Sequence, residues 1–171
     1  MDVSLSHIVL GLLDLAPMTG YDLKKTFDGS AGHFWSADQA QIYRTLAKLV
    51  DDGAVDVRVV PQEGRPDRRE HRITDAGRRA LAEWLGSPLE AERTREPFLA
   101  RVFFAGREDR EVALRLLAER RAAVEERLAA LRALPAPDGD PAERLRTATL
   151  RYGLRQLEAE LEWLDETRAA L

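Results

Sequence analysis

The chain has 171 residues and a formal net charge of −4, with 44% apolar and 33% charged residues. This length suits one ordinary domain, or a small domain with an extension. The sequence contains no cysteine, which excludes disulfides and thiolate metal sites and favours a reducing cytoplasm. We expect no signal peptide, because the N-terminus lacks a basic start and a small-residue cleavage site. We also expect no membrane span, since no apolar run approaches about 20 residues.

The net acidity argues mildly against a nucleic-acid partner, because phosphate repels an acidic protein. The positive charges are unevenly distributed, however. All three lysines lie within residues 24–48, and residues 65–79 contain six arginines against three acidic residues. Such charges are equally compatible with an ordinary solvated surface, so charge alone does not separate the two interpretations.

Three helices are predicted in the first third of the chain. Apolar residues at three- and four-residue spacing predict a helix near residues 5–13. Thr19 begins a capping-box-like T-G-Y-D, which predicts a second helix over residues 20–28. We place Ser36 at the N-cap of a third helix over residues 37–52. Its apolar stripe consists of Ile42, Leu46, Leu49 and Val50.

A β-hairpin is predicted after the third helix. The alternation over residues 55–60 indicates a strand, and residues 70–74 indicate a return strand. The turn region between them places arginines at the tip of the hairpin. A further helix opens at Thr74 or Asp75. The order of three helices, a hairpin with a basic tip and a helix is that of a winged helix-turn-helix.

The second half of the chain is predicted to be purely helical. After a linker over residues 87–96, Pro97 starts a short helix, and longer helices follow over residues 109–134 and 142–169. Phe98, Phe103 and Phe104 of the short helix are expected to be core that attaches this arm. The predicted fold class is therefore mainly α, with a winged-helix domain over residues 1–86 and a helical dimerisation domain over 97–171.

The last helix carries leucines in a four-three-four-three spacing, which is typical of a coiled-coil seam. A second copy of the chain is the favoured cover for this seam, and an antiparallel hairpin within one chain is the alternative. The predicted dimer-interface residues are Leu150, Leu154, Leu157, Leu161 and Leu164.

The outer face of the third helix has the composition of a DNA-reading surface. Arg44 projects almost opposite the apolar stripe, with Gln41 and Lys48 on the same flank and the small Ala40 and Ala47 beside them. Glutamine, arginine and lysine read base edges and phosphates, and small residues permit close approach to a major groove. A plain solvated helix face is the alternative interpretation.

Motifs in three stretches resemble those of the PadR family of bacterial transcription regulators. They are G-Y-D-L at residues 20–23, Q-I-Y-R-T-L at 41–46, and G-R-P at 64–66 followed by H-R-I-T-D-A-G at 71–77. The resemblance spans about residues 5–85. His71 stands where the family usually has tyrosine, which we expect to alter hairpin packing and to leave the fold in place. The second half resembles the family's longer C-terminal helical domain in pattern only.

The resemblance implies a repressor that binds an inverted-repeat operator as a homodimer, without a cofactor, and that a small molecule or stress signal relieves. Matching the family motifs places Tyr21, Lys24, Gln41, Tyr43, Arg44, Lys48 and Arg65 at or near DNA. Our full set of predicted contacts adds Gln39, Arg68 and Arg69. A protein-interaction module that uses the leucine-rich helices without DNA is the alternative function.

The tryptophans are the candidate effector residues. Phe34 and Trp35 precede the third helix, and Trp163 lies beside the leucine seam, so that each could stack on a planar ligand. Ordinary packing is the simpler interpretation of all three. The three histidines lack the spacing of metal ligands, and no phosphate-binding or hydrolase motif is present, so we expect neither a metal site nor an enzyme.

Overall fold

The computed structural model of the chain describes residues 3–61, 64, 67–89, 95–107 and 110–171. The chain divides into two compact units, Met1–Leu89 and Glu90–Leu171. The first unit contains helices α1 (Val3–Leu15), α2 (Gly20–Ser30), α3 (Gln39–Asp51) and α4 (Asp75–Leu85), with strands β1 (Val55–Val60) and β2 (Arg68–Ile73) between α3 and α4. The second contains α5 (Pro97–Ala105), α6 (Arg110–Arg132) and α7 (Pro141–Ala169).

Side-chain caps determine where the helices of the first unit begin. The Thr19 side chain accepts a hydrogen bond from the Asp22 amide at the start of α2, as the sequence predicts. The prediction of Ser36 as the cap of α3 was wrong, and the helix begins two residues later than expected. Asp38 is the N-cap, because its carboxylate accepts from the Gln41 amide while the Gln41 side chain accepts from the Asp38 amide. This reciprocal pair satisfies two otherwise unpaired N–H groups.

The two strands form an antiparallel hairpin whose register runs from Val55 opposite Ile73 to Val60 opposite Arg68. The return strand starts two residues earlier than predicted. Arg68 and Arg69 therefore lie in the ladder, opposite Val60 and Val59, and not at the tip where they were expected. Met18 adds a short bridge to the other edge of β2, exchanging two backbone hydrogen bonds with His71. Arg65 lies outside the described residues.

The core of the first unit forms around α1, which contacts α2, α3, α4 and β2. The expected stripe of α3 is confirmed, since Ile42, Leu46 and Leu49 are buried and Val50 packs against them. Gly77 lets α4 approach the end of the hairpin closely. A Cβ at this position would lie 2.8 Å from Ile73 Cγ1 and well under 3.0 Å from the Ala54 carbonyl oxygen.

The second unit is built on an antiparallel pair of long helices. Arg110 Nε of α6 donates to the carbonyl of Leu171 at 2.9 Å, and Arg132 contacts Glu158 at 2.8 Å, so the two helices run in opposite directions. Arg121 hydrogen-bonds Asp165 at 3.0 Å and thereby holds the pKa of that carboxyl below its ordinary value. In the described part of the chain, no helix is both long enough and apolar enough to cross a membrane.

The leucine seam of α7 is covered within one chain. Leu150, Leu157 and Leu164 are buried against Leu117, Val124, Leu128 and Leu131 of α6. The prediction that these three leucines meet a second copy was wrong, because a side chain buried inside the hairpin has no surface left to offer. Leu154 and Leu161 are half-buried at the edge of the same cluster.

The aromatic residues of α5 divide between core and surface. Phe98 packs against the core formed by α6 and α7, as expected, and Val102 does the same. Phe103 and Phe104 do not, because their side chains are 81% and 65% exposed, and the prediction of a core role for them was wrong. They stack edge to face on each other, with 5.1 Å between ring centroids.

Candidate nucleic-acid interface

The outer face of α3 is polar and open to solvent. The opposite face is anchored in the core by Ile42, Leu46 and Leu49. Arg44 takes part in no ion pair among the described residues, which leaves its guanidinium available to a ligand. The exposed side chains of the outer face are Gln39, Gln41, Tyr43, Arg44 and Lys48, with the small Ala40 and Ala47. This arrangement matches the predicted recognition face.

The first turn of α2 is the point where α3 and the hairpin meet. A Cβ at Gly20 would lie 2.9 Å from Cε1 of Tyr43, so the glycine makes room for the tyrosine ring of α3. From the hairpin, Arg68 Nη2 reaches Asp22 Oδ2 at 3.0 Å. Tyr21, on the same turn, is largely exposed. Predicted DNA residues from α2, α3 and β2 are therefore adjacent in space.

Three of the predicted DNA-contacting cations are paired with carboxylates within the first unit. Lys24 Nζ donates to Asp28 Oδ2 at 2.6 Å, one helical turn away. Lys48 Nζ lies 3.7 Å from Asp52, again one turn away. Arg68 joins Asp22 and also lies 3.5 Å from Glu70. All are surface pairs, and such pairs contribute at most about 1 kcal/mol to stability, so each cation can exchange its partner for a phosphate.

His71 connects the hairpin to the segment before α2. Its Nδ1 is 3.3 Å from the Met18 carbonyl, and its backbone exchanges hydrogen bonds with the same residue. Burial lowers the pKa of His71 below its ordinary value; the bond to Met18 opposes this shift, and the charge of Arg69 adds to it. The neutral ring therefore carries its proton on Nδ1 and donates it to the Met18 carbonyl, since a carbonyl oxygen can only accept.

The predicted effector residues fall in different units. Phe34 is exposed, while Trp35 is half-buried and packs against the core of the first unit. Trp163 packs against the core of the second unit, edge-on to Phe98 with 6.1 Å between centroids. Phe98 also lines an open cleft of about 450 Å³. Its lining combines Pro97, Phe98 and Leu116 with Glu96, Arg101, Glu119 and Arg120.

Three features were missed from the sequence, two at the α2–α3–hairpin surface of the first unit and one at the cleft of the second unit. Asp22 as a partner of Arg68 depends on hairpin register, which the alternation of residues does not specify to the residue. Gly20 as a seat for Tyr43 depends on how two helices pack. Phe98 as a cleft wall could have been found, because it already stood out as an aromatic residue at the start of the helical arm.

Comparisons with known proteins agree with this architecture. The model described as "Transcriptional regulator PadR-like family" matches residues 9–83, and the model described as "Virulence activator alpha C-term" matches residues 94–171. A probable transcriptional regulator of Mycobacterium tuberculosis, Rv1176c, is 31% identical in an alignment 189 positions long, gaps included, that covers 99% of this chain and 98% of that protein.

Solved structures extend the similarity to the whole chain. Bacillus subtilis PadR in complex with operator DNA has a TM-score of 0.82 at 26% identity, covering 98% of each chain. The same protein in complex with p-coumaric acid has a TM-score of 0.76 at 25% identity, covering 97% of each chain. The sequence resemblance is thus confirmed. The chain belongs to the PadR-like family of transcriptional regulators, a family of regulators and not of enzymes.

Proposed function

We propose that this chain is a homodimeric repressor that binds an inverted-repeat operator in the cytoplasm, with residues 1–86 as the DNA-binding domain and 97–171 as the dimerisation domain. The observation that carries the proposal is the exposed outer face of α3, centred on Arg44 and held by a buried apolar stripe. The similarity to a PadR–operator complex over almost the entire chain supports it. In this proposal α3 enters the major groove, and its partner in the dimer enters the groove about one helical turn away, ~34 Å.

The proposed contacts divide into two kinds. Gln39, Gln41 and Arg44 on α3 read base edges, because amides and guanidinium groups match the hydrogen-bond patterns exposed in the major groove. The remaining contacts fall on phosphates, which position the protein without reading sequence. They come from Tyr21, Lys24, Tyr43, Lys48, Arg65, Arg68 and Arg69.

Mobility shifts with the promoter region upstream of the chain's own gene test this assignment. We expect Arg44→Ala to weaken operator binding by about 1–3 kcal/mol, or roughly fivefold to 150-fold. Lys48→Ala removes one phosphate contact and lowers the slope of log affinity against log salt by about 0.9. Arg79→Ala is the matched control, since Arg79 is an exposed arginine of the same unit on α4. Unchanged binding by both test variants would remove α3 as the recognition helix.

We propose that the dimer forms through the second unit and uses the exposed aromatic residues of α5. The internal closure of the leucine seam leaves Phe103 and Phe104 as large apolar side chains open to solvent. Burying two phenyl rings in an interface stabilises association. Light scattering after gel filtration should give a dimer for the wild type and a monomer for the Phe103→Ser/Phe104→Ser variant. Leu85→Ser, an exposed leucine of α4, is the control. A persistent dimer in the double variant would place the interface elsewhere.

We further propose that a small planar molecule relieves repression, as the similarity to PadR in complex with p-coumaric acid suggests. The cleft beside Phe98 has the size of a ligand pocket and an apolar wall with nearby cations. Trp163 of the same unit is a further proposed contact, and Phe34 and Trp35 form an alternative proposed site in the first unit. Titration of tryptophan fluorescence with p-coumaric acid tests the response. Loss of the signal in Phe98→Ala alone supports the cleft, and loss in Phe34→Ala alone supports the first unit.

A further inference from the structure

We infer that Asp22 competes with DNA phosphate for Arg68, and that it thereby lowers the affinity for DNA of the wing, which is the hairpin of β1 and β2. This inference rests on the function proposed above. The carboxylate of Asp22 lies on the first turn of α2 and accepts a hydrogen bond from Arg68 of β2 at 3.0 Å. Arg68 is one of the cations that would hold a phosphate beside the wing. In the free protein an aspartate therefore pairs with the guanidinium group that a phosphate would hold in the complex.

The geometry fixes this carboxylate more firmly than an ordinary surface acid. Thr19 Oγ1 donates to the same oxygen of Asp22 that receives Arg68, at 2.8 Å, while Thr19 also caps α2 by accepting from the Asp22 amide at 3.1 Å. The N-terminal end of a helix also attracts negative charge. The bonds to Thr19 and the helix N-terminus therefore hold the Asp22 carboxylate in the position where it meets Arg68.

The other paired cations differ in kind from Arg68. Lys24 and Lys48 each pair with an aspartate of the same helical surface, and a flexible lysine can swing from such a partner to a phosphate at little cost. The Arg68–Asp22 pair instead joins two elements that are 46 residues apart in the sequence. A phosphate that takes Arg68 must break this contact and approach a fixed negative charge. Asp22 therefore acts against binding twice, by holding Arg68 and by repelling the phosphate.

Removing the charge of Asp22 should strengthen binding. In Asp22→Asn the amide oxygen can still accept from Thr19, so the start of α2 is retained. A phosphate about 6 Å from the former carboxylate then gains roughly threefold to tenfold in affinity. The gain should shrink as salt rises from about 50 to 200 mM, because exposed charges are screened.

Asp14→Asn is the matched control, because Asp14 also pairs with an arginine of a distant element. Arg78 meets Asp14 at 3.1 Å, with side chains 54% and 45% exposed, against 44% and 43% for Arg68 and Asp22. The control pair lies on α4 and α1, which contribute none of the proposed DNA contacts. Asp14→Asn removes one negative charge from the first unit, as Asp22→Asn does, and its effect on DNA affinity should stay within about twofold.

A double-mutant cycle with full-length protein tests the inference by fluorescence anisotropy on a labelled duplex from the promoter region upstream of the chain's own gene. We expect Asp22→Asn to tighten binding about threefold to tenfold, and to give a smaller gain when Arg68 is already alanine. An unchanged or weaker affinity in Asp22→Asn, with wild-type binding intact, overturns the role of Asp22 and leaves the proposed function standing. An equal gain with and without Arg68 overturns the competition mechanism. Absence of DNA binding by every variant, wild type included, overturns the proposed function itself.

Discussion

At Gly77, packing and helix propensity should change the free energy of unfolding in opposite directions when alanine replaces glycine. In the interior of a helix, glycine is normally about 1 kcal/mol less favourable than alanine, so a Gly→Ala change stabilises an open site. At Gly77 the new Cβ would meet Ile73 Cγ1 at 2.8 Å and Leu10 Cδ2 at 3.1 Å, and would lie closer still to the Ala54 carbonyl. Real Cβ atoms do not approach other atoms this closely, so the helix or the hairpin must move.

The size of the effect follows from what that movement disturbs. Ala54 O accepts the Thr74 amide at 3.0 Å, the bond that leads from the hairpin into α4. Overpacking costs about 1–3 kcal/mol, and weakening this hydrogen bond adds about 0.5–1.5 kcal/mol, against at most about 1 kcal/mol of improved helix propensity, since Gly77 is only the third residue of α4. We therefore expect Gly77→Ala to lower the free energy of unfolding of the first unit by about 1–3 kcal/mol.

Tryptophan fluorescence can report this unit alone. Trp35 and Trp84 lie in the first unit and Trp163 in the second, so urea unfolding in a Trp163→Phe background monitors the first unit. Gly11→Ala is the control, because Gly11 lies within α1 and a Cβ added there would have no atom of the described residues within 4 Å. This variant should be stabilised by up to about 1 kcal/mol. A Gly77→Ala protein as stable as Gly11→Ala would refute the close approach of α4 to the hairpin.

Three further changes probe the α6–α7 packing, the proposed DNA interface and the β1–β2 hairpin. Leu157→Ala should destabilise the second unit by about 2–5 kcal/mol in urea unfolding, whereas the exposed Leu145→Ala should be nearly neutral; equal effects would contradict the closed seam. Gly20→Ala should displace the Tyr43 ring and weaken DNA binding several-fold in anisotropy with little loss of stability; unchanged affinity would separate Tyr43 from the interface. Because the pKa of His71 is lowered in the folded protein, only the unfolded chain protonates this ring just below pH 6.5, so the free energy of unfolding should fall as pH drops below that value. His71→Gln should flatten this fall in urea unfolding at a series of pH values. An identical pH profile in the variant would rule out His71 as its source.

Local features of the sequence determined most of the first unit. The T-G-Y-D start of α2, the apolar stripe of α3 and the alternation of β1 each predicted the element that forms, because caps and periodicity act over a few residues. The motifs in their order also predicted the family. The start of α3 was misplaced because Ser36 and Asp38 both suit an N-cap, and only the reciprocal bond with Gln41 selects Asp38.

The tertiary structure decided which surfaces are free, and sequence periodicity could not. A four-three leucine spacing predicts that one face of a helix is covered by another helix, but that helix can belong to the same chain or to another chain. The structure closes that seam on α6 and leaves Phe103 and Phe104 exposed. Register likewise decided that Arg68 lies beside Asp22, since the pairing of a hairpin depends on its turn and packing. The sequence determined the elements and the family, whereas the contacts between distant elements determined which charges and apolar side chains are left for partners.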